Sequence, residues 1–195
     1  MTGFLGRAYD ASSADETRAL YDDWAASYDA ELGANGYATP ARCAEALARH
    51  APLVEPVLDI GCGTGLSGVA FKAQGFGAVD GADPSPEMLA RAEATGAYRH
   101  LRRSDPDDPF EAGAYEIIAA VGVVGIGAAP ASLVDRAWDA LPPGGLLCLS
   151  LNDRALAVPD FADLIEARRP HVLFEEYGPH LPGIDLMSRV YVLRK

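Results

Sequence analysis

Val57-Leu58-Asp59-Ile60-Gly61-Cys62-Gly63-Thr64-Gly65-Leu66-Ser67-Gly68 decides how the rest of the chain is read. The run from Pro56 to Ile60 is apolar apart from one acid, the pattern of a short parallel strand buried on both faces. Glycines then alternate at 61, 63 and 65, a spacing that suits a turn with positive φ better than a strand or a helix. From Leu66, small and apolar residues at helical spacing run to Gly75, which is placed to end the helix. Strand, glycine loop and helix, in that order, are how an α/β fold turns backbone N–H groups and a helix N-terminus toward a nucleotide-like ligand.

Outward from this stretch the pattern repeats. Gly77 to Asp83 predicts a second strand, and Pro84-Ser85-Pro86 opens a helix with Met88, Leu89 and Ala92 inward and Pro86 at its first position. Asp83 ends that strand, where an acid can accept ribose hydroxyls; Asp80 is the competing acid but falls mid-strand. Tyr98 to Arg103 predicts a third strand, leading to Ser104-Asp105-Pro106. A fourth ends at Val121 and runs into Gly122-Val123-Val124-Gly125. A helix carrying Leu133, Ala137 and Leu141 leads through Pro142-Pro143-Gly144-Gly145 to a fifth strand, Leu146 to Leu151. One more helix (Phe161, Leu164, Ile165) and two strands, Val172 to Tyr177 and Met187 to Leu193, complete the chain. Ahead of the first strand, Leu20, Trp24 and Tyr28 are four apart in a helical pattern from Asp15 to Leu32, and Thr39-Pro40 predicts an N-cap and first residue of a helix reaching Ala51.

Two spellings support each other. Leu58-Asp59-Ile60-Gly61-Cys62-Gly63-Thr64-Gly65 resembles the first motif of class I S-adenosylmethionine (SAM)-dependent methyltransferases, and Asp83-Pro84-Ser85-Pro86-Glu87-Met88-Leu89 resembles the second. Tyr21-Asp22-Asp23-Trp24-Ala25-Ala26-Ser27-Tyr28-Asp29 resembles the N-terminal helix of the small-molecule members, which lies over the cofactor. The fourth strand resembles the family's Phe-Asp strand with Tyr115-Glu116 in its place, and Leu141-Pro142-Pro143-Gly144-Gly145 its turn into strand five. The resemblance implies an α/β fold with a doubly wound, mostly parallel seven-stranded sheet of order 3-2-1-4-5-7-6, the last strand antiparallel. It implies an N-terminal helical lid over residues 1–52 and a SAM-binding core over 53–195.

The same resemblance implies SAM as cofactor and S-adenosylhomocysteine as product. Cofactor contacts are implied at Trp24, Tyr28, Asp59, Gly61, Cys62, Gly63, Gly65, Asp83, Pro84, Met88, Ser104, Asp105, Val121 and Gly122. An aromatic face suits a sulfonium. An acid at the end of the first strand can orient the loop and favour cationic groups, and Gly61 and Gly63 let backbone approach the ligand. Asp105 matches the family's adenine-binding acid, but Pro106 lacks the N–H that often supports the ring. The Asn/Asp-Pro-Pro-Tyr/Phe signature of amino-group methylases acting on bases and glutamine is missing after Val121, which leaves an apolar, small-residue wall.

Composition narrows the partners. The 195-residue chain carries a net charge of -12 with Lys72 and Lys195 as its lysines, and no basic stripe that would hold a nucleic acid. Cys43, Cys62 and Cys148 are widely spaced, without CxxC, which predicts a reducing cytoplasm and no zinc site. No His/Asp/Glu cluster at metal spacing is visible. Ile117 to Val134 is free of charge, but Gly122, Gly125, Gly127 and Pro130 make it strand plus loop rather than a membrane span, and no signal-peptide core opens the chain. A monomer or homodimer with no membrane partner is expected.

The function expected is methyl transfer to a small-molecule acceptor by in-line displacement, governed by proximity and alignment. Two alternatives stand beside it. A protein of the same fold could bind SAM without catalysis. Gly63-Thr64-Gly65-Leu66-Ser67-Gly68 also satisfies GxGxxG, the fingerprint of an NAD(P)-dependent oxidoreductase, although no catalytic Tyr/Lys or Cys/His arrangement accompanies it. If a general base serves the acceptor, His180 is the expected residue, just past the sixth strand on the ligand-facing side of the sheet.

Overall fold

A computed structural model of the chain describes residues 24, 27–104 and 113–195. The strands are β1 (Val57–Ile60), β2 (Val79–Asp83), β3 (His100–Arg103), β4 (Ile117–Ala120), β5 (Leu146–Asn152), β6 (Val172–Leu181) and β7 (Leu186–Arg194). They form one seven-stranded sheet in the order β3-β2-β1-β4-β5-β7-β6. β1 to β5 pair in parallel, and β7 runs antiparallel to both neighbours. The helices are α1 (27–34, with Trp24 also helical), α2 (Thr39–Ala48), α3 (Leu66–Ala73), α4 (Pro86–Ala94), α5 (Ser132–Ala140), α6 (Asp153–Leu156) and α7 (Pro159–Glu166).

The two-residue period of the strands divides the core into two layers. Leu58, Ile60, Ile118, Ala120, Leu147 and Leu149 point to one face and pack with α5 and α7 through Leu133, Ala137, Leu164 and Ile165. Val57, Ile117, Ala119, Cys148, Val190 and Val192 point to the other and pack with Cys43, Ala44 and Leu47 of α2 and Phe71 of α3. Central strands are therefore buried on both sides, which is why they read as continuous apolar runs. The segment ahead of residue 52 contributes a core helix to this arrangement, since α2 closes one of the two layers.

The crossovers are right for a ligand at the C-terminal edge of the parallel strands, where β1 and β4 leave the sheet in opposite directions. Ser85 caps α4, accepting the Met88 N–H at 3.1 Å with Pro86 at the first position. Asp80 lies inside β2 as expected and takes the Arg99 guanidinium at 3.0 Å and the Tyr115 hydroxyl at 2.8 Å, which ties the strand to its neighbours away from that edge.

Among the boundaries that differ from expectation, two stand near the site. β6 continues past Tyr177 through Gly178-Pro179-His180 to Leu181. It is an edge strand, where a proline forfeits no ladder bond, and a register shift between Pro179 and Leu181 absorbs the irregularity. Thr39 is the first residue of α2 rather than its N-cap; Ala38 holds the cap position and supplies no side-chain bond. Both changes bear on the site.

Candidate active site

The loop leaving β1 places Gly61, Gly63 and Gly65 at φ +67°, +53° and +98°. What a side chain would meet differs among them. A Cβ at Gly61 would lie 2.2 Å from Val123 Cγ2, and one at Gly65 would lie 3.1 Å from Ala92 Cα and from Tyr98 Cε2. At Gly63 it would meet nothing within 4 Å. The missing side chain at Gly61 makes room for Val123, whereas the open side of Gly63 faces free space.

Asp83 ends β2 directly beneath this loop. Its Oδ2 accepts the Gly63 N–H and its Oδ1 accepts the Ser85 N–H, both at 2.9 Å. Pro84 follows, its carbonyl accepting Arg103 Nε at 3.3 Å, and Met88 is buried behind it. Ser104 donates its N–H to the Asp83 carbonyl at 3.0 Å, which brings the end of β3 to the same edge. Asp105, the expected adenine partner, lies outside the described residues.

Asp59 is fully enclosed, and its Oδ2 accepts hydroxyls from Ser67 at 2.5 Å and Tyr98 at 2.7 Å. Its Oδ1 is buried and has no hydrogen-bond partner. Burial outweighs the two hydrogen bonds and pushes its carboxyl up to about 6. Cys62 is buried beside it, and burial together with the Asp59 and Asp83 charges raises its thiol, which is therefore neutral. Asp59 acts on the loop from within, whereas Asp83 acts from its rim.

α1 reaches the same loop. The Thr64 hydroxyl donates to Asp29 Oδ1 at 2.6 Å, and Trp24, 2% exposed, stands edge-on to Tyr28 with ring centroids 4.7 Å apart.

On the other side of the edge, Val121 is buried and Gly122 takes φ +67° with its N–H donated to Ser150 Oγ at 2.8 Å. A Cβ at Gly122 would come within 2.0 Å of the Tyr37 hydroxyl, so that hydroxyl lies against the backbone where β4 leaves the sheet. Tyr37 is held between α1 and α2: its N–H donates to the Leu32 carbonyl at 3.1 Å and the next amide to the His180 carbonyl at 3.0 Å. Its ring stands edge-on to the His180 imidazole at 5.1 Å.

The His180 environment sets its tautomer. Arg42 Nη1, which can only donate, gives a hydrogen bond to Ser188 Oγ at 2.9 Å. Ser188 Oγ lies 3.1 Å from Thr39 Oγ1, which lies 2.8 Å from His180 Nδ1. Thr39 and Ser188 are both fully buried. Every hydroxyl proton finds an acceptor only if Ser188 donates to Thr39 and Thr39 donates to Nδ1; the reverse direction strands the Ser188 proton. Nδ1 is then an acceptor and Nε2 carries the proton. Burial, assisted by the Arg42 charge, pushes the imidazole down to about 4. His180 is therefore a neutral hydrogen-bond donor, buried within β6 rather than just past the strand as expected.

A family model described as a methyltransferase domain matches residues 11–189. The chain belongs to that family. This methyltransferase domain is 32% identical over 140 residues to methyltransferase-like protein 27 of Homo sapiens, covering 67% of this chain and 56% of that protein. It is 31% identical over 159 residues to ribosomal protein L11 methyltransferase of Thermus thermophilus, covering 75% of this chain and 61% of that one. The chain thus spans roughly three-fifths of the length of the curated relatives it matches. Its fold is shared by a TehB-like SAM-dependent methyltransferase of Corynebacterium glutamicum at TM-score 0.61 and 22% identity, covering 91% of this chain and 99% of the other.

SAM is the cofactor of this family, and the residues of the methyltransferase domain fit it. The side of Gly63 where a Cβ would stand is open, with nothing within 4 Å, and the buried, unpartnered Oδ1 of Asp59 places negative charge in the interior beside the loop, which favours a cationic ligand there. Tyr37, Tyr98, Ser67 and Ser150 were not singled out in the sequence. Tyr37, Tyr98 and Ser150 act through contacts distant in the chain that no local pattern marks, and Ser67 through Asp59 at the other end of the glycine loop.

Proposed function

We propose that the domain transfers a methyl group from SAM to a small-molecule acceptor that arrives already nucleophilic. The observation that carries this reading is the bond between Gly63 N–H and Asp83 Oδ2, which joins a loop with an open face to an acid at the end of the next strand. Gly63, Asp83, Pro84, Met88 and Ser104 would line the nucleoside side, with Trp24 and Tyr28 on α1 over it. When bound, SAM supplies an electrophilic methyl on a sulfonium. The chain's own task is to align the acceptor and keep water out, worth several orders of magnitude in rate.

The acceptor side is formed by Gly122, Tyr37 and His180. A neutral His180 with its proton on Nε2 offers hydrogen bonds and takes no proton there. The rate would then follow the ionisation of the acceptor itself and rise with pH until the acceptor is fully deprotonated. Net charge of -12 supports a small or basic acceptor over a nucleic acid. A protein acceptor is the second reading, supported by the likeness to a ribosomal protein methyltransferase.

Calorimetric titration with SAM, S-adenosylhomocysteine and NAD, followed by release of S-adenosylhomocysteine with phenols, amines, thiols, carboxylic acids and ribosomal protein L11, tests this. Binding of the first two ligands and turnover with a small acceptor is expected. Turnover with the protein alone would replace the acceptor class. SAM binding without turnover on any acceptor would favour a non-catalytic binding protein, and NAD binding an oxidoreductase.

A further inference from the structure

The third glycine of the Gly63-x-Gly65-x-x-Gly68 pattern has a use unrelated to any dinucleotide. A Cβ at Gly68 would lie 2.3 Å from Tyr98 Cζ, and one at Gly81, in the middle of β2, would lie 2.9 Å from Tyr98 Cδ1. With Gly65 also 3.1 Å from the ring by the same measure, three glycines from the loop, α3 and β2 make one slot, and the Tyr98 ring fills it. At the bottom of the slot the phenol oxygen accepts the Gly68 N–H at 3.0 Å and donates its proton to Asp59 Oδ2 at 2.7 Å. Gly68 is the third residue of α3, so this amide is one of the first-turn donors that have no partner within the helix. In a dinucleotide fold such donors face a pyrophosphate.

We propose that Tyr98 is a positioning residue for the cofactor loop, its ring the strut behind the glycines and its hydroxyl the link between the Asp59 carboxyl and the first turn of α3. The inference rests on the SAM-site reading above and assigns to a residue ahead of β3 the shape and charge of the loop after β1. Two consequences follow. The α3 N-terminus spends a donor on an internal phenol, which suits a cofactor without a pyrophosphate. Asp59 is also held by Oδ2 alone, so that its other oxygen stays unpartnered in the interior beside the loop. The groups facing this carboxyl are Ser67 from α3, Tyr98, Cys62 in the loop and Asp83 from β2. Of these, Tyr98 and Ser67 favour its ionised form and Asp83 opposes it.

Calorimetric titration of the full chain with SAM from pH 5 to 8, in parent and Tyr98→Phe, reads the link directly. The parent is expected to lose affinity as pH falls through about 6, where Asp59 takes up a proton. Tyr98→Phe keeps the ring in its slot and removes both hydroxyl contacts, the charge-assisted hydrogen bond to Asp59 and the one accepted from the Gly68 N–H. Affinity at pH 7.5 should fall by roughly tenfold or more, the scale of losing a charge-assisted hydrogen bond. The midpoint of the pH profile should also move upward, because a bond that favours the carboxylate is gone. 3-Fluorotyrosine placed at position 98 strengthens the O–H as a donor with little change in shape, and should move the midpoint downward; it serves equally if Tyr98→Phe fails to fold. A midpoint that stays put in both variants, or parent affinity that is flat through pH 6, would overturn the inference while leaving SAM as the cofactor. A parent that binds no SAM would overturn the site reading and the inference together.

Discussion

Gly63 and Asp83 meet across 20 residues of chain, the loop amide donating to Oδ2 at 2.9 Å. The acid is therefore part of the loop's construction as well as a rim group. Asp83→Ala should weaken SAM by about 1–3 kcal/mol, the range for hydrogen bonds to a charged acceptor. The sheet should survive, since Asp83 ends a strand and fills no core position. An unchanged dissociation constant by calorimetry would remove Asp83 from the site.

The glycines of the loop should separate under substitution. Gly63→Val is expected to fold and lose SAM binding, because its side chain would project into open space that the ligand needs, from a backbone at φ +53°. Gly61→Val should fail in a different way, losing thermal stability, because its side chain would collide with Val123 inside the protein. Melting temperature and SAM titration on the two variants distinguish these outcomes. Normal binding by a folded Gly63→Val would reduce the loop to a tight turn.

Two buried groups give opposite pH dependences of stability. His180 is lowered in the fold from 6.5 to about 4, so the unfolded chain binds the proton more readily; this contribution is full above 6.5 and lost as pH falls toward 4. Its ceiling is about 3 kcal/mol. Asp59 is raised from 3.8 to about 6, so the native state binds the proton more readily, and its burden grows as pH rises from 3.8 through 6. The two slopes oppose each other between pH 4 and 6 and nearly cancel in the parent. Asp59→Asn should remove one of them, leaving urea midpoints that drop more steeply than the parent's between pH 6.5 and 4. Parallel curves would contradict the opposed pair. Nitrogen-15 spectra of the imidazole should show His180 neutral with its proton on Nε2 at pH 6.

Trp24→Ala tests the α1 lid. Trp24 is buried against Tyr28, and α1 is tied to the glycine loop by the Asp29–Thr64 bond rather than built into the sheet. Turnover and SAM affinity should therefore fall more than the melting temperature. A large fall in melting temperature with normal specific activity would make Trp24 a core residue.

Much of this architecture was already determined by local pattern. Val57–Ile60, Ile117–Ala120 and Leu146–Leu151 are buried on both faces and read as strands for that reason, whereas the strand order was implied by the resemblance of the two motifs to class I methyltransferases. The glycine loop, Asp59 and Asp83 were legible because strand end, turn and helix start are encoded by neighbours in sequence. Tertiary structure alone decided what those residues touch. Gly61 yields its space to Val123, and Gly65, Gly68 and Gly81 yield theirs to Tyr98. Thr39, spelled as a helix cap, turns its hydroxyl to His180 instead, because an edge strand brings a buried imidazole nitrogen to 2.8 Å and that nitrogen needs a donor. Periodicity specifies which face of an element is buried; partners far apart in the chain are chosen by packing and by the demand that enclosed polar atoms be met, and neither is written in the local order of the chain.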